Sequence, residues 1–149
     1  MLGHDPYLPP ERAAGLGIRL VVLSDLLAQA DIVSLHAMVT AETRQMIDEA
    51  ALRRMKPGAI LVNTARGALV DEPALARALA DGRLGGACLD VFGGEPVVLP
   101  YPLLAMPRVI ASPHIAAQTA EAQDREVTQT IEDVVRVLEE KDPVHTPAV

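Results

Sequence analysis

The chain has 149 residues, half of them hydrophobic but only three aromatic, and a formal net charge of −7. That length supports one domain burying roughly 70% of its unfolded surface, around the Leu, Val, Ile and Ala core of a helix-covered parallel sheet. The acidic balance and the lack of any Lys/Arg-rich run argue against nucleic acid, and no apolar run approaches the roughly 18 residues of a membrane span.

No signal peptide is visible, and there are no repeats or low-complexity tracts. Cys88, the only cysteine, lies in an apolar run. It excludes an internal disulfide and fits a reducing cytoplasm. No metal site is expected.

Met1 to His4 reads as the tail of a strand that runs straight into Asp5-Pro6. Pro9 to Gly15 predicts a short helical turn. Ile18 to Leu23 is apolar and strand-like, and Ser24 is expected to cap a short helix through Gln29. Asp31 to His36 predicts a strand ending on His36. Asp48 then caps a helix to Met55, and Lys56-Pro57-Gly58 stops it. Ile60 to Val62 is a short buried strand entered from that turn. It ends at Asn63-Thr64, and a lone Arg66 follows beside Gly67.

Asp71-Glu72-Pro73 opens the next helix, with Asp at the cap and Pro in the first turn. This helix runs to Asp81, with Leu75 and Leu79 on one face and Gly82 at its end. Gly86 to Val91 is a strand, and a Gly- and Pro-rich loop spans Gly93 to Pro107. Val109 to Ser112 is the last strand, ending at Pro113-His114. The final helix covers about Thr119 to Glu140. In it Val127, Ile131, Val134, Val135 and Leu138 keep helical spacing, which predicts one buried face.

Strands alternating with helices imply an α/β fold with a parallel sheet and right-handed crossovers. Asp5, His36, Asn63 with Arg66, Asp90 and His114 then all follow the carboxyl ends of strands. Those ends share one rim, and ligands bind there. The planar fork of Arg66 suits a carboxylate or phosphate. A pairing with a nearby acidic side chain satisfies it equally well, and the sequence of that turn leaves both open.

The stretch from Met55-Lys56-Pro57-Gly58 through Asn63-Thr64-Ala65-Arg66-Gly67 to Val70-Asp71 resembles the signature of the D-isomer-specific 2-hydroxyacid dehydrogenases. Leu89-Asp90-Val91-Phe92, Glu95-Pro96 and Ser112-Pro113-His114-Ile115 resemble the same family in order and spacing. The Asp31 to His36 strand fits as well. The similarity covers nearly the whole chain, with phosphoglycerate dehydrogenase-like members nearest.

The resemblance implies a Rossmann-type NAD-binding domain and interconversion of a small 2-hydroxy acid and a 2-keto acid, in a homodimer. It implies that Arg66 holds the substrate carboxylate, His114 is the general acid/base, and Glu95 hydrogen-bonds His114. Asp90 would contact the nicotinamide carboxamide and Asp5 the adenosine ribose. His36, Ala37, Thr64, Ala65, Ala116 and Ala117 would line the cofactor, beside Arg66 and His114.

Met38 stands where the family usually has Pro. The family's G-x-G-x-x-G turn and first βα unit should lie upstream of Asp5. The only G-x-G here, Gly15-Leu16-Gly17, precedes a strand and is no phosphate loop. Residues 1–149 are therefore expected to be part of an NAD-binding domain, without the substrate domain and inactive alone. The alternative is a non-catalytic remnant or dimerisation module.

Overall fold

Most of the candidate site residues follow the strands of a four-stranded parallel sheet, seen in a computed structural model that describes residues 1–145. Its strands are β3 (Ile32–Leu35), β4 (Ile60–Asn63), β5 (Gly86–Leu89) and β6 (Val109–Ala111), in that spatial order. Ile32, Ile60 and Gly86 form one row across the sheet, and Leu35, Asn63, Leu89 and Ala111 another. The carboxyl ends of these four strands are therefore level, as one shared rim requires, but Asp5 follows none of them and lies outside that rim. A second, two-stranded parallel sheet joins β1 (Leu2–Gly3) and β2 (Arg19–Leu20). The edges of β1 and β3 facing away from these partners are unpaired among the described residues.

Helices fill the crossovers: α1 (Pro10–Gly15), α2 (Leu23–Gln29), α3 (Glu49–Arg54) and α4 (Glu72–Ala80). The alternation of a strand decides which side chains go inside. Val33, Leu35, Leu61, Ala87 and Leu89 share one face and cluster with Leu27 of α2, Leu52 of α3 and Leu75 and Leu79 of α4. On the opposite face Ile32 and Ile110 remain 62% and 71% exposed. Asp48 and Asp71 cap α3 and α4 as predicted, accepting the amides of Ala51 and Ala74 at 2.8 and 3.0 Å. Arg83 donates to the Arg53 and Met55 carbonyls and so closes the far end of α3.

Two expectations fail. Ser24 does not cap α2. The helix already starts at Leu23, behind an extended Val22 that makes no side-chain cap bond. Ser24 thus sits two positions past the cap, too deep to serve the first free amides. Correspondingly, only Arg19 and Leu20 of the Ile18 to Leu23 run pair as a strand. The last helix, α5 (Ala120–Leu138), forms behind its Thr119 cap but buries no residue. Val127, Ile131, Val134 and Val135 are 57, 57, 52 and 47% exposed, and Leu138 is 79% exposed. The spacing correctly reports an apolar stripe, but it says nothing about whether a covering surface belongs to the same chain.

The chain divides into two compact units, with His114 the first residue of the second. The first holds both sheets and α1 to α4. The second holds α5 and its flanking turns. Among the described residues no helix is long and apolar enough to cross a membrane.

Candidate functional site

β4 ends at Asn63, which is 1% exposed. A buried primary amide must find partners for its oxygen and its N–H groups. Here Oδ1 accepts the Ala65 amide at 3.1 Å, and Nδ2 donates to the Arg66 carbonyl at 2.9 Å. The side chain thereby closes the turn that follows the strand. Thr64 and Arg66 are exposed and Ala65 is half-buried. Arg66 has extended backbone, φ −148° and ψ 138°, and its Nη1 donates to its neighbour's carbonyl, Ala65 O, at 2.7 Å. Among the described residues no carboxylate pairs with it. The ion-pair alternative for this arginine is therefore not realised.

Gly67 seats this turn against the loop that leaves β5. A Cβ at Gly67 would lie 1.9 Å from the Phe92 carbonyl carbon, far inside any contact distance. The Asp90 amide also donates to the Asn63 carbonyl at 2.9 Å. Asp90 is 3% exposed, and its Oδ1 accepts the Ser112 hydroxyl at 2.5 Å. A little farther on, Glu95 Oε1 accepts the Phe92 amide at 2.9 Å. So the turn bearing Arg66 and the loop bearing Asp90 and Glu95 are one packed assembly.

Glu72, in the first turn of α4, joins this assembly from the side. Its Oε1 accepts the Gly93 amide at 2.8 Å, and its Oε2 accepts the Tyr101 hydroxyl. The Tyr101 ring meets the Phe92 ring edge to face, centroids 5.5 Å apart. Burial, then the hydrogen bond and charge of Glu72, push the Tyr101 phenol up to about 12. Sequence reasoning places Glu72 at the start of a helix and gives it, Tyr101, Ser112 and Gly67 no specific contact. Only the Asp71-Glu72 pair carries a signal, since one acid suffices to cap a helix.

The remaining candidates are spread more widely. Asp5 follows β1 and is exposed. Its Oδ1 accepts the amides of Tyr7 and Leu8 at 2.8 and 3.1 Å, an ordinary turn-forming use. His36 follows β3 with Nε2 at 2.9 Å from Ser34 Oγ, and Ala37 beside it is half-buried. Gly17, at φ +70°, links α1 to β2, so the G-x-G there opens no helix. In the second unit His114 is exposed and holds φ +57°, a region that non-glycine residues enter rarely and often at functional sites. Ala116 and Ala117 are exposed ahead of the Thr119 cap.

Comparison with known proteins gives a consistent result. The family described as "D-isomer specific 2-hydroxyacid dehydrogenase, NAD binding domain" matches residues 1–116. D-3-phosphoglycerate dehydrogenase of Mycobacterium tuberculosis is 51% identical over 134 residues, which are 90% of this chain and 25% of that protein. The chain thus spans about a quarter of the length of that relative. Among solved structures, a glyoxylate reductase from Paecilomyes thermophila superposes with a TM-score of 0.86 at 40% identity, covering 96% of this chain and 43% of its own. A D-lactate dehydrogenase with NAD+ from Lactobacillus jensenii gives 0.85 at 28% identity, over 99% of this chain and 48% of that one. The sheet with its flanking helices is accordingly Rossmann-type, and a nicotinamide dinucleotide is the cofactor class of the matched domain.

Proposed function

The chain belongs to the D-isomer specific 2-hydroxyacid dehydrogenase family, and on that footing we propose that it forms part of the NAD-binding domain of a cytoplasmic enzyme interconverting a 2-hydroxy acid and a 2-keto acid. In this reading Arg66 grips the substrate carboxylate. The observation that carries it is an exposed guanidinium at the carboxyl end of β4, on a turn closed by buried Asn63, with no carboxylate partner among the described residues. A bidentate grip there fixes both position and orientation of the reacting carbon.

The residues present fit the nicotinamide end of the cofactor. The nearly buried Asp90 carboxylate, with one oxygen on the Ser112 hydroxyl, is an acceptor suited to a carboxamide N–H. Thr64, Ala65, His36, Ala37, Ala116 and Ala117 complete the proposed lining. Asp5 accepts hydrogen bonds from ribose hydroxyls, and its charge disfavours a 2′-phosphate, so NAD is preferred over NADP. The bound dinucleotide supplies or accepts the hydride.

His114 manages the proton. It donates to the substrate oxygen during reduction of the keto acid and takes the proton back in the other direction. Glu95 holds the imidazole in the required tautomer and orientation. The assembly is a homodimer, a reading supported by the exposed apolar stripe of α5.

The test uses a chimera in which this chain replaces the matching 134-residue stretch of the Mycobacterium tuberculosis enzyme. Arg66→Gln is expected to raise KM for the keto acid strongly and to lower kcat as well. Arg66→Lys restores activity only in part, since a point charge lacks the fork. Kinetics unchanged by Arg66→Gln refute the assignment.

A further inference from the structure

We propose that Glu72 is a positioning residue that sets the direction in which Glu95 presents its carboxylate. The inference rests on the role of Glu95 proposed above. Glu95 lies on an exposed turn behind two consecutive glycines, Gly93 and Gly94. Such a backbone has wide freedom and does not aim a side chain by itself. One hold on Glu95 is the Phe92 amide, which its Oε1 accepts at 2.9 Å. That bond exists only while the Phe92 to Glu95 turn keeps its shape.

Glu72 grips this turn at its next amide, Gly93, at 2.8 Å. Its other oxygen takes the Tyr101 hydroxyl, and Tyr101 in turn packs on the Phe92 ring. One carboxylate therefore clamps both ends of the segment from 93 to 101, within which Glu95 lies. The clamp is mounted on a rigid base, because Asp71 already caps α4 through the Ala74 amide at 3.0 Å. Glu72 is not needed for that cap and is turned toward the loop instead. Around this turn Glu72 and Glu95 both act on the charge of the Tyr101 phenol.

A residue that merely stabilises the loop lowers the melting temperature and nothing else. One that aims Glu95 also moves the pH dependence of catalysis. In the chimera, kcat/KM for keto-acid reduction is measured against pH. Glu95→Gln is expected to shift the alkaline fall of the profile to lower pH by about one unit, because removing a negative charge beside a proton donor makes its proton easier to lose. Glu72→Ala should shift it in the same direction, and the double variant no farther than Glu95→Gln alone. Glu72→Gln removes the charge but keeps an acceptor for Gly93. A profile near the unsubstituted one in that variant separates positioning from a direct charge effect.

A Glu72→Ala chimera that melts lower with an unshifted profile overturns the inference and leaves the Glu95 reading standing. An unshifted profile in Glu95→Gln overturns the reading beneath it. Tyr101→Phe keeps the ring contact and loses only the hydroxyl grip, and it should give a smaller shift of the same sign. Should Glu72→Ala fail to fold, an unshifted Tyr101→Phe profile overturns the inference in its place.

Discussion

Gly67→Ala tests the packed assembly at its tightest point. The glycine is required for space alone, since its φ lies outside the left-handed region. An added Cβ would lie 1.9 Å from the Phe92 carbonyl carbon, 2.1 Å from its oxygen and 2.4 Å from the Gly93 nitrogen. Ordinary contact begins at 3.4 Å, so backbone must retreat by about 1.5 Å. All three obstructing atoms are main chain, and no rotamer change relieves them. Overpacking of this kind typically costs about 1–3 kcal/mol. Weakening the Asp90–Asn63 backbone bond beside it adds about 1 kcal/mol.

We therefore expect a loss of about 2–4 kcal/mol from a domain total of roughly 5–15. For a chain of this size that lowers Tm by about 5–15 °C. Thermal and urea unfolding of the chain, followed by circular dichroism, gives the answer. Gly94→Ala is the control, since nothing lies within 4 Å of its added Cβ, and it should stay within about 0.5 kcal/mol. A Gly67→Ala chain as stable as the Gly94→Ala chain refutes the close seating of the Arg66 turn on the Phe92 loop.

Other consequences follow from the same geometry. Tyr101 holds its proton to about 12, above the ordinary 10.0, so the unfolded chain releases that proton first and stability falls as pH rises between those values. Tyr101→Phe should remove that slope from urea melts run across the range, and a slope that persists assigns it to another group. NADH should bind the chimera more tightly than NADPH, and Asp5→Ala should narrow the gap; equal affinities before substitution contradict the role of Asp5. The chain alone should bind NADH weakly and turn over no keto acid, because among the described residues β1 and β3 present unpaired edges and the G-x-G opens no helix. Micromolar binding of NADH in a calorimetric titration, with turnover, contradicts that.

Much of the site was legible because it is encoded locally. The run from Ile60 to Pro73 announces strand, turn and capped helix in consecutive residues, and the structure reproduces each. The rim shared by β3 to β6 follows from alternation of strands and helices alone, whereas the pairing of β1 with β2 in a sheet of their own, which takes Asp5 off that rim, does not. What the sequence conceals is long-range. Glu72 and Tyr101 stand 29 residues apart, and no local pattern pairs them. The need for glycine at position 67 exists only because Phe92 is folded against it. Ser24 misled because a capping residue type is visible in sequence, whereas the point at which the chain turns into α2 is not. The α5 stripe misled differently: periodicity reveals an amphipathic helix, not the surface that covers it.

The central claim is that this chain carries the proton-transfer group of a 2-keto acid reductase, and the most direct measurement is NADH oxidation by the chimera with and without His114. The unsubstituted chimera should oxidise NADH in the presence of a 2-keto acid and release the D-hydroxy acid. His114→Ala should lower kcat by about 10²–10⁴-fold, the usual contribution of a general acid, with NADH affinity much less affected. A His114→Ala chimera that reduces the keto acid at the unsubstituted rate contradicts the account.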